Sequence, residues 1–514
     1  MSTINSIRKS VVFNVGGYVV SLLVAFLITP ITIHTLGDTR YGAWALVAEL
    51  IGYYGLLDLG IRGAVTYYVA RHSALNQQED IKEMLSSAFW FLSACGFIAL
   101  LIGVGFTAGF PYLFKTEALD LAEVQQSLLI MTTLIAFSLP MNAFSGALVG
   151  KQRFDVVSGV EIVNRIITGL FTYIALKAGG GLVALALVQA AGRAISWGMT
   201  LAACRMILGG VFTRLLWLKK QRVRSLVTYG FQNALGNVAL MVIYRLDIVV
   251  VAMFAGIDRV VFYSIASTLV LYASSLCSSI SFVFTPRFTQ LDSQREDDTL
   301  QKLYLFGTRA TGMVVTGMVA GILVFGKDFI KLWLGASYVS GPLTDRSDVI
   351  LTVLILASVP RMLQGISRQR LYGTGHVRFL MWLNIFEAIA NLGLSILLVR
   401  HYGPLGVAFG TLLPLLVSQI VILPVYSSRV FKLPLWQLFS KGFSKPLIVG
   451  VLMVAINLAC IYIAPPASWL IFFCDVFVAV ILGGIVCIGI GLSREERQEY
   501  LTRFLKRPQA HAHS

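Results

Sequence analysis

Charge is what this sequence is short of. Only 13% of its 514 residues are Asp, Glu, Lys or Arg, about half the share of an ordinary globular chain, and mean hydropathy is +0.79. That excludes a soluble enzyme with a solvated surface. Cysteine is also sparse: the six (Cys95, Cys204, Cys277, Cys460, Cys474 and Cys487) fall within apolar runs and show no C-x-x-C spacing, which leaves neither a disulfide framework nor a zinc site to propose. The six histidines are scattered in connections and the tail, so no metal and no cofactor is expected. No A-x-A-like cleavage site follows the first apolar segment, so it is expected to stay as a span. No large external loop interrupts the chain. No catalytic constellation stands out either, and a non-enzyme is expected.

What is present is apolar sequence in lengths of about 20 residues, the signature of transmembrane helices. Fourteen such spans are predicted, at 10–33, 42–70, 84–110, 124–149, 156–178, 181–207, 226–255, 260–286, 303–332, 347–373, 377–399, 404–428, 446–464 and 468–491. The fold class is therefore an all-α polytopic membrane protein.

The net charge of +16 is explained by orientation rather than by a nucleic-acid partner. With Arg8 and Lys9 facing the cytoplasm, the inner connections and termini hold 27 of the 41 Lys and Arg, and the outer connections hold 8. That asymmetry is the positive-inside rule, and it makes both termini cytoplasmic. The basic stretch "FTRLLWLKKQRVR" (212–224) is expected to lie on the anionic inner leaflet.

Two nucleotide-like matches fail on context. "GILVFGKD" (Gly321–Asp328) has Asp328 where a P-loop needs a hydroxyl, and "GVGFTA" (Gly103–Ala108) follows no strand. Small residues in membrane helices serve close packing.

Internal similarity gives the organisation. "SLPMNAFSGALVGKQRF" (138–154) matches "SVPRMLQGISRQRLYGTGHVRF" (358–379). "GGGLVALAL" (179–187) matches "YGPLGVAFG" (402–410), and "LGDTRYG" (36–42) matches "AGIDRVVFY" (255–263). The offset stays near 220 residues and encloses six spans, an even number, so the halves share one orientation about an axis along the membrane normal. The predicted organisation is a six-helix bundle at 1–210, a basic cytoplasmic link at 211–225, a second six-helix bundle at 226–432, two further helices at 433–492 and a cytoplasmic tail at 493–514. Pro30, Pro140, Pro286, Pro360 and Pro414 fall within or near span ends, where they permit kinks.

The few charges inside the spans carry the functional reading. They are six arginines (Arg62, Arg165, Arg193, Arg245, Arg309 and Arg361) and six acids (Glu49, Asp58, Glu161, Asp247, Glu387 and Asp475), with no lysine. Facing lipid, the arginines would cost roughly 15–21 kcal/mol together, so most must face protein or water. Asp58 and Arg62 are spaced i,i+4, as are Glu161 and Arg165, which predicts a shared helix face for each pair. Such pairs serve equally as structural clamps or as substrate or proton sites. Arg193, Arg309 and Arg361 have no acid partner on their own helix, and Arg361, Gln364 and Arg368 form a polar stripe. Arg62 and Arg309 are expected in the inner half of the membrane, Arg165, Arg193 and Arg361 near the midplane, and Arg245 in the outer half. The planar fork of arginine suits bidentate contact with phosphate oxygens, so all six are candidate headgroup ligands. Asp58, Asp247 and Glu387 are candidate ion-coupling carboxylates.

"LGDTRYGAWALVAELIGYYGLLDLGIRGAVTYYVARHSA" (36–74), with the span count and the basic link, resembles the polysaccharide-transporter branch, including O-antigen-type oligosaccharide flippases, of the multidrug/oligosaccharidyl-lipid/polysaccharide exporter superfamily. The resemblance runs over about 1–492. It implies two bundles about a cationic cavity in a bacterial inner membrane. The implied cargo is undecaprenyl-pyrophosphate-linked oligosaccharide moved from the cytoplasmic to the periplasmic leaflet. H+ or Na+ is the implied coupling ion, and membrane lipids and polysaccharide polymerase machinery are the implied partners, with no nucleic acid. The chain lacks the Arg-Asp pair of the lipid II flippase branch near span one. A multidrug or cation antiporter of the same superfamily is the alternative, and it would show a cavity lined by Glu49, Asp247 or Glu387 without nearby arginine. A membrane polymerase or ligase is a third, disfavoured by the short outer connections.

Overall fold

The computed structural model describes the backbone of residues 2–114, 119–209 and 219–491, and side chains there except at 2–15, 51, 53–56 and 231–245. Lys115, residues 210–218 of the basic link and the tail from 492 onward lie outside the described residues, as do the side chains of Arg8, Lys9 and Arg245. Among the described residues the chain is helical throughout, with no strand. Apolar chain in hydrocarbon has no water to satisfy its N–H and C=O groups, and the helix satisfies them within each segment.

The helices are α1 (Ser2–Leu36), α2 (Asp38–Tyr54), α3 (Ile61–Ala74), α4 (Gln78–Leu113), α5 (Leu121–Gly150), α6 (Phe154–Lys177), α7 (Leu182–Leu208), α8 (Lys220–Val250), α9 (Val260–Phe282), α10 (Thr285–Ser293), α11 (Asp297–Leu334), α12 (Ser347–Leu363), α13 (Gly365–Gly373), α14 (Val377–Leu416) and α15 (Leu423–Phe431). Two more, Ser444–Ile463 and Trp469–Val486, close the described chain. The two nucleotide-like matches lie inside α4 and α11, as helix.

Ten stretches among the described residues are long and apolar enough to cross a membrane, or eleven if α12 and α13, bent by 41°, form one span. That is fewer than the fourteen predicted. One of the ten is a 55-residue stretch, Val377–Phe431, which would be about 80 Å long if straight against an apolar core of about 30 Å. It is not straight. Gly403 breaks it at φ 55°, and the chain folds back so that a Cβ on Gly406 would lie 2.3 Å from the Leu398 carbonyl. Asn391 Nδ2 then donates to Thr411 Oγ1 at 2.8 Å across the hairpin. The predicted span 42–70 is likewise not one helix: α2 ends at Tyr54, a 3₁₀ turn covers Gly55–Asp58, and α3 starts at Ile61.

The chain divides into two compact units, Met1–Ser264 and Ile265–Ser514. The first has a core of Ile61, Val65 and Val69 from α3, Met84, Leu85 and Leu92 from α4, and Leu139, Phe144 and Leu148 from α5. In the second, Phe288, Tyr304, Ile366, Leu371, Leu380 and Phe431 belong to one buried cluster.

One contact set in the first unit accounts for the Arg of "LGDTRYG". Glu123, in the first turn of α5, accepts from the Leu182 N–H at 2.7 Å and so caps α7. Its second oxygen meets Arg40 Nη2 at 3.2 Å. Glu123→Ala is expected to cost about 1–3 kcal/mol, because the helix N–H loses its acceptor. Glu123→Gln should cost less, since it keeps that acceptor. Unfolding midpoints in detergent would rank the two.

Candidate functional site

In the first unit the break in the second predicted span is built by backbone conformation. Leu59 and Gly60 both sit at positive φ, 48° and 72°, so the helix cannot continue through them. Gly60 lies against α8: a Cβ there would stand 2.4 Å from the Gly230 carbonyl, and one on Gly230 would stand 2.6 Å from the Leu59 carbonyl. Asp58 ends the 3₁₀ turn just before this break. Asp58 and Arg62 therefore do not share one helix face, contrary to the i,i+4 reading. The carboxylate of Asp58 instead faces the Arg62 backbone N–H, the Arg62 guanidinium and the Asn142 side chain, while Oδ1 is buried without a hydrogen-bond partner.

The second i,i+4 pair is also rearranged. Glu161 Oε1 accepts from Arg193 Nη1 at 3.0 Å, which joins α6 to α7 rather than one turn of α6 to the next. Gly192 permits this, because a Cβ there would stand 2.4 Å from Thr168 Cγ2 and 2.9 Å from Asn164 Oδ1 of α6. Arg165 is left exposed. Neither Arg62 nor Arg165, both exposed, has a carboxylate within 4.0 Å among the described residues. Asp247 is buried and accepts from the Tyr263 hydroxyl at 2.6 Å. The side chain of Arg245 lies outside the described residues.

In the second unit the structure brings together two residues that lie 26 apart in sequence. Arg361 Nη1 donates to Glu387 Oε2 at 2.6 Å, with side-chain exposures of 13% and 1%. Oε1 of Glu387 accepts from the Ser418 hydroxyl and from the Gln419 side-chain amide. Ser418 and Gln419 belong to a π-helical turn, Val417–Ile422, a widening of the helix that often marks functional sites. Two pieces of irregular backbone thus meet at one carboxylate. The other is the break between α12 and α13 at Gln364, four residues after the helix-interior Pro360 and three after Arg361.

The expected stripe Arg361–Gln364–Arg368 is divided by that same break. Gln364 donates to the Gln419 carbonyl at 3.4 Å and accepts from Ser367 at 2.6 Å, and Ser367 meets the Tyr304 hydroxyl at 2.9 Å. Arg368 Nη2 donates to Asn384 Oδ1 at 2.7 Å. Arg309 is half-buried on α11. Asn384, Ser418 and Gln419 are the participants that sequence reasoning missed. Their only sequence signal was three polar residues in otherwise apolar runs.

Ten or more apolar spans among the described residues, with broken helices within them and guanidinium and carboxylate groups near the breaks, are those of a multi-pass membrane protein. The chain belongs to the family described as polysaccharide biosynthesis protein, whose profile matches residues 7–292. A Shigella flexneri protein named as an O-antigen transporter is 21% identical over 82% of this chain and 98% of its own length. The Haloferax volcanii protein AglR, named as a flippase, is 24% identical over 82% of this chain and 83% of its own. Among solved structures, the lipid II flippase MurJ in an inward closed conformation superposes with a TM-score of 0.72 at 14% identity, over 97% of this chain and 100% of that one. An inward-facing multidrug resistance MATE family transporter of the MOP superfamily does so with 0.67 at 14% identity, over 81% and 98%. At that identity the structures show a common fold, and the relatives support a membrane flippase.

Proposed function

We propose that the chain is a lipid-linked oligosaccharide flippase. It carries undecaprenyl-pyrophosphate-linked sugar repeat units from the cytoplasmic to the periplasmic leaflet of a bacterial inner membrane, for O-antigen, capsule or exopolysaccharide assembly. The carrying observation is the pair of exposed guanidiniums in predicted spans, Arg62 and Arg165, neither with a carboxylate within 4.0 Å among the described residues, Asp58 facing Arg62 from beyond that distance. An arginine at the bilayer centre costs about 2.5–3.5 kcal/mol when it faces lipid. Exposed there, it is tolerable in a water-filled passage, where it is free to take a phosphate oxygen pair. The drug and cation antiporter reading predicts a cavity lined by Glu49, Asp247 or Glu387 without nearby arginine, and of these Glu387 is met by Arg361.

The remaining arginines fit a cycle of alternating access driven by an ion gradient, with H+ or Na+ as the ion. An incoming pyrophosphate competes for a guanidinium such as Arg361 or Arg193 and displaces its carboxylate. A displaced buried carboxylate must then find another positive partner, which links substrate to Glu387, with Asp58 and Asp247 as further candidates. An apolar cavity of about 680 Å³ in the second unit, lined by Met313, Phe325, Leu351, Met453, Phe472 and Val480, suits hydrocarbon rather than sugar.

The test is flipping of a defined polyprenyl-pyrophosphate oligosaccharide in liposomes, with and without pH and sodium gradients. Arg62→Gln and Arg165→Gln are expected to lower the rate about tenfold each, since a charge-assisted hydrogen bond is worth about 1.5–3 kcal/mol, while abundance in the membrane stays unchanged. Wild-type rates in both variants would remove the arginines from the pathway. No flipping by the unmodified chain would remove the function.

A further inference from the structure

The two irregular segments that meet at Glu387 are joined by a row of hydrogen bonds, and donor chemistry fixes its direction. A backbone carbonyl can only accept, so Gln364 meets that of Gln419 with Nε2, at 3.4 Å, and turns its Oε1 towards Ser367. Ser367 has one hydroxyl proton and gives it to that oxygen at 2.6 Å. The Tyr304 hydroxyl, 2.9 Å from Ser367 Oγ, is therefore a donor as well. At the other end the Gln419 side-chain amide and the Ser418 hydroxyl both donate to Glu387 Oε1. From Tyr304 on α11 to Glu387 on α14, the donors point one way, towards the carboxylate.

The row lies in the core of the second unit, where Tyr304, Gln364, Ser367, Ser418, Gln419 and Glu387 are each at most 4% exposed. Holding it has a cost. Gln419 Oε1 is buried without a hydrogen-bond partner, because the amide has turned its N–H to the carboxylate. A cluster that merely joined helices would need no common direction and no such orphan. Hydrogen bonds to a charged group are about twice as strong as neutral ones, and bonds in series polarise one another. The charge on Glu387 therefore strengthens the whole row. Gln364 stands in that row at the point where α12 gives way to α13 with a bend of 41°.

We propose that Gln364 is a positioning residue that ties the bend between α12 and α13 to the charge on Glu387. It rests on the flippase reading above, in which Glu387 changes partner during transport. While Glu387 is ionised, the row holds Gln364 against the π-helical turn and α13 stays bent. Once the coupling ion neutralises the carboxylate, Gln364 is released and α13 is free to move against α12. That short helix carries Arg368, bonded to Asn384, and Arg370, set over the rings of Phe431 and Tyr304, so its movement displaces two buried guanidiniums.

Amide hydrogen exchange across α13, in the purified full chain in lipid nanodiscs, tests this without substrate. Gln364→Met keeps the side-chain length and removes both hydrogen bonds, and Glu387→Gln keeps the shape and removes the charge. Each is expected to speed exchange in α13 about five- to tenfold, the difference between a charge-assisted and a neutral hydrogen bond. The double variant should go no further, because both changes cut the same row. Arg361→Met combined with Glu387→Gln should match Glu387→Gln, which removes a stranded Arg361 as the cause. Exchange in the Trp469–Val486 helix should stay at its wild-type rate, and reports any general loosening. If the effects of Gln364→Met and Glu387→Gln add, or if either change leaves α13 as it was, the coupling is wrong and the flippase reading stands. That reading falls only if the unmodified chain fails to flip its substrate in liposomes.

Discussion

Arg361→Ala is expected to destabilise the protein by about 3–5 kcal/mol, because it strands Glu387 as an unpaired carboxylate at 1% exposure. Ser418 and Gln419 would still donate to that carboxylate, but two neutral donors do not replace a guanidinium. Removing both charges behaves differently. A paired Arg361→Met and Glu387→Gln replacement leaves no buried charge, and replacing whole buried ion pairs is often neutral for stability. The double variant should therefore unfold near the wild-type temperature in detergent, yet fail to transport. A double variant that transports normally would mark Arg361–Glu387 as a clamp with no part in coupling. A single variant as stable as wild type would mean that Glu387 has another cationic partner.

Gly60→Ala should be comparably severe, for a backbone reason. The residue sits at φ 72°, a conformation that costs an L-residue about 1–2 kcal/mol. Its new Cβ would also stand 2.4 Å from the Gly230 carbonyl, a contact that only backbone movement can relieve. Separation of α3 from α8 would follow, with loss of the Tyr67–Tyr229 ring stacking. Three residues on, Gly63 is an internal control. A Cβ there meets nothing within 4 Å, and in a helix interior Ala is better than Gly by about 1 kcal/mol. Gly63→Ala should be neutral or slightly stabilising. Unfolding midpoints of the two alanine variants, and the near-ultraviolet signal of the tyrosines, would expose an error in either expectation. Equal midpoints would count against the break as a structural constraint.

Much of the fold was legible because bilayer hydrocarbon imposes a simple rule on sequence. Apolar runs of membrane-crossing length were visible at once, and with them the all-helical class. The turn near Gly403 was visible as the gap between the predicted spans 377–399 and 404–428. "LLDLGIRG" was less transparent. It lies inside the predicted span 42–70, whereas Leu59, a residue with no turn preference, joins Gly60 at positive φ and breaks the span there. The contact with Gly230 over-determines that conformation, and a partner 170 residues away leaves no local trace.

The candidate site divides along the same line. Sequence by itself determined which charges the membrane segments keep, that they are arginine and carboxylate without lysine, and hence that phosphate-type chemistry was the one to look for. Helical spacing predicted Glu161 with Arg165 and left Arg361 without a partner. Tertiary structure decided otherwise, pairing Glu161 with Arg193 and Arg361 with Glu387. The physical reason is that an i,i+4 pair gains only a few tenths of a kcal/mol along one helix surface. For Glu387, 1% exposed, burial between helices raises the stake to several kcal/mol. Glu161 and Arg193, 46% and 41% exposed, meet because α6 and α7 approach closely at Gly192. In both cases packing, rather than spacing, chose the partners.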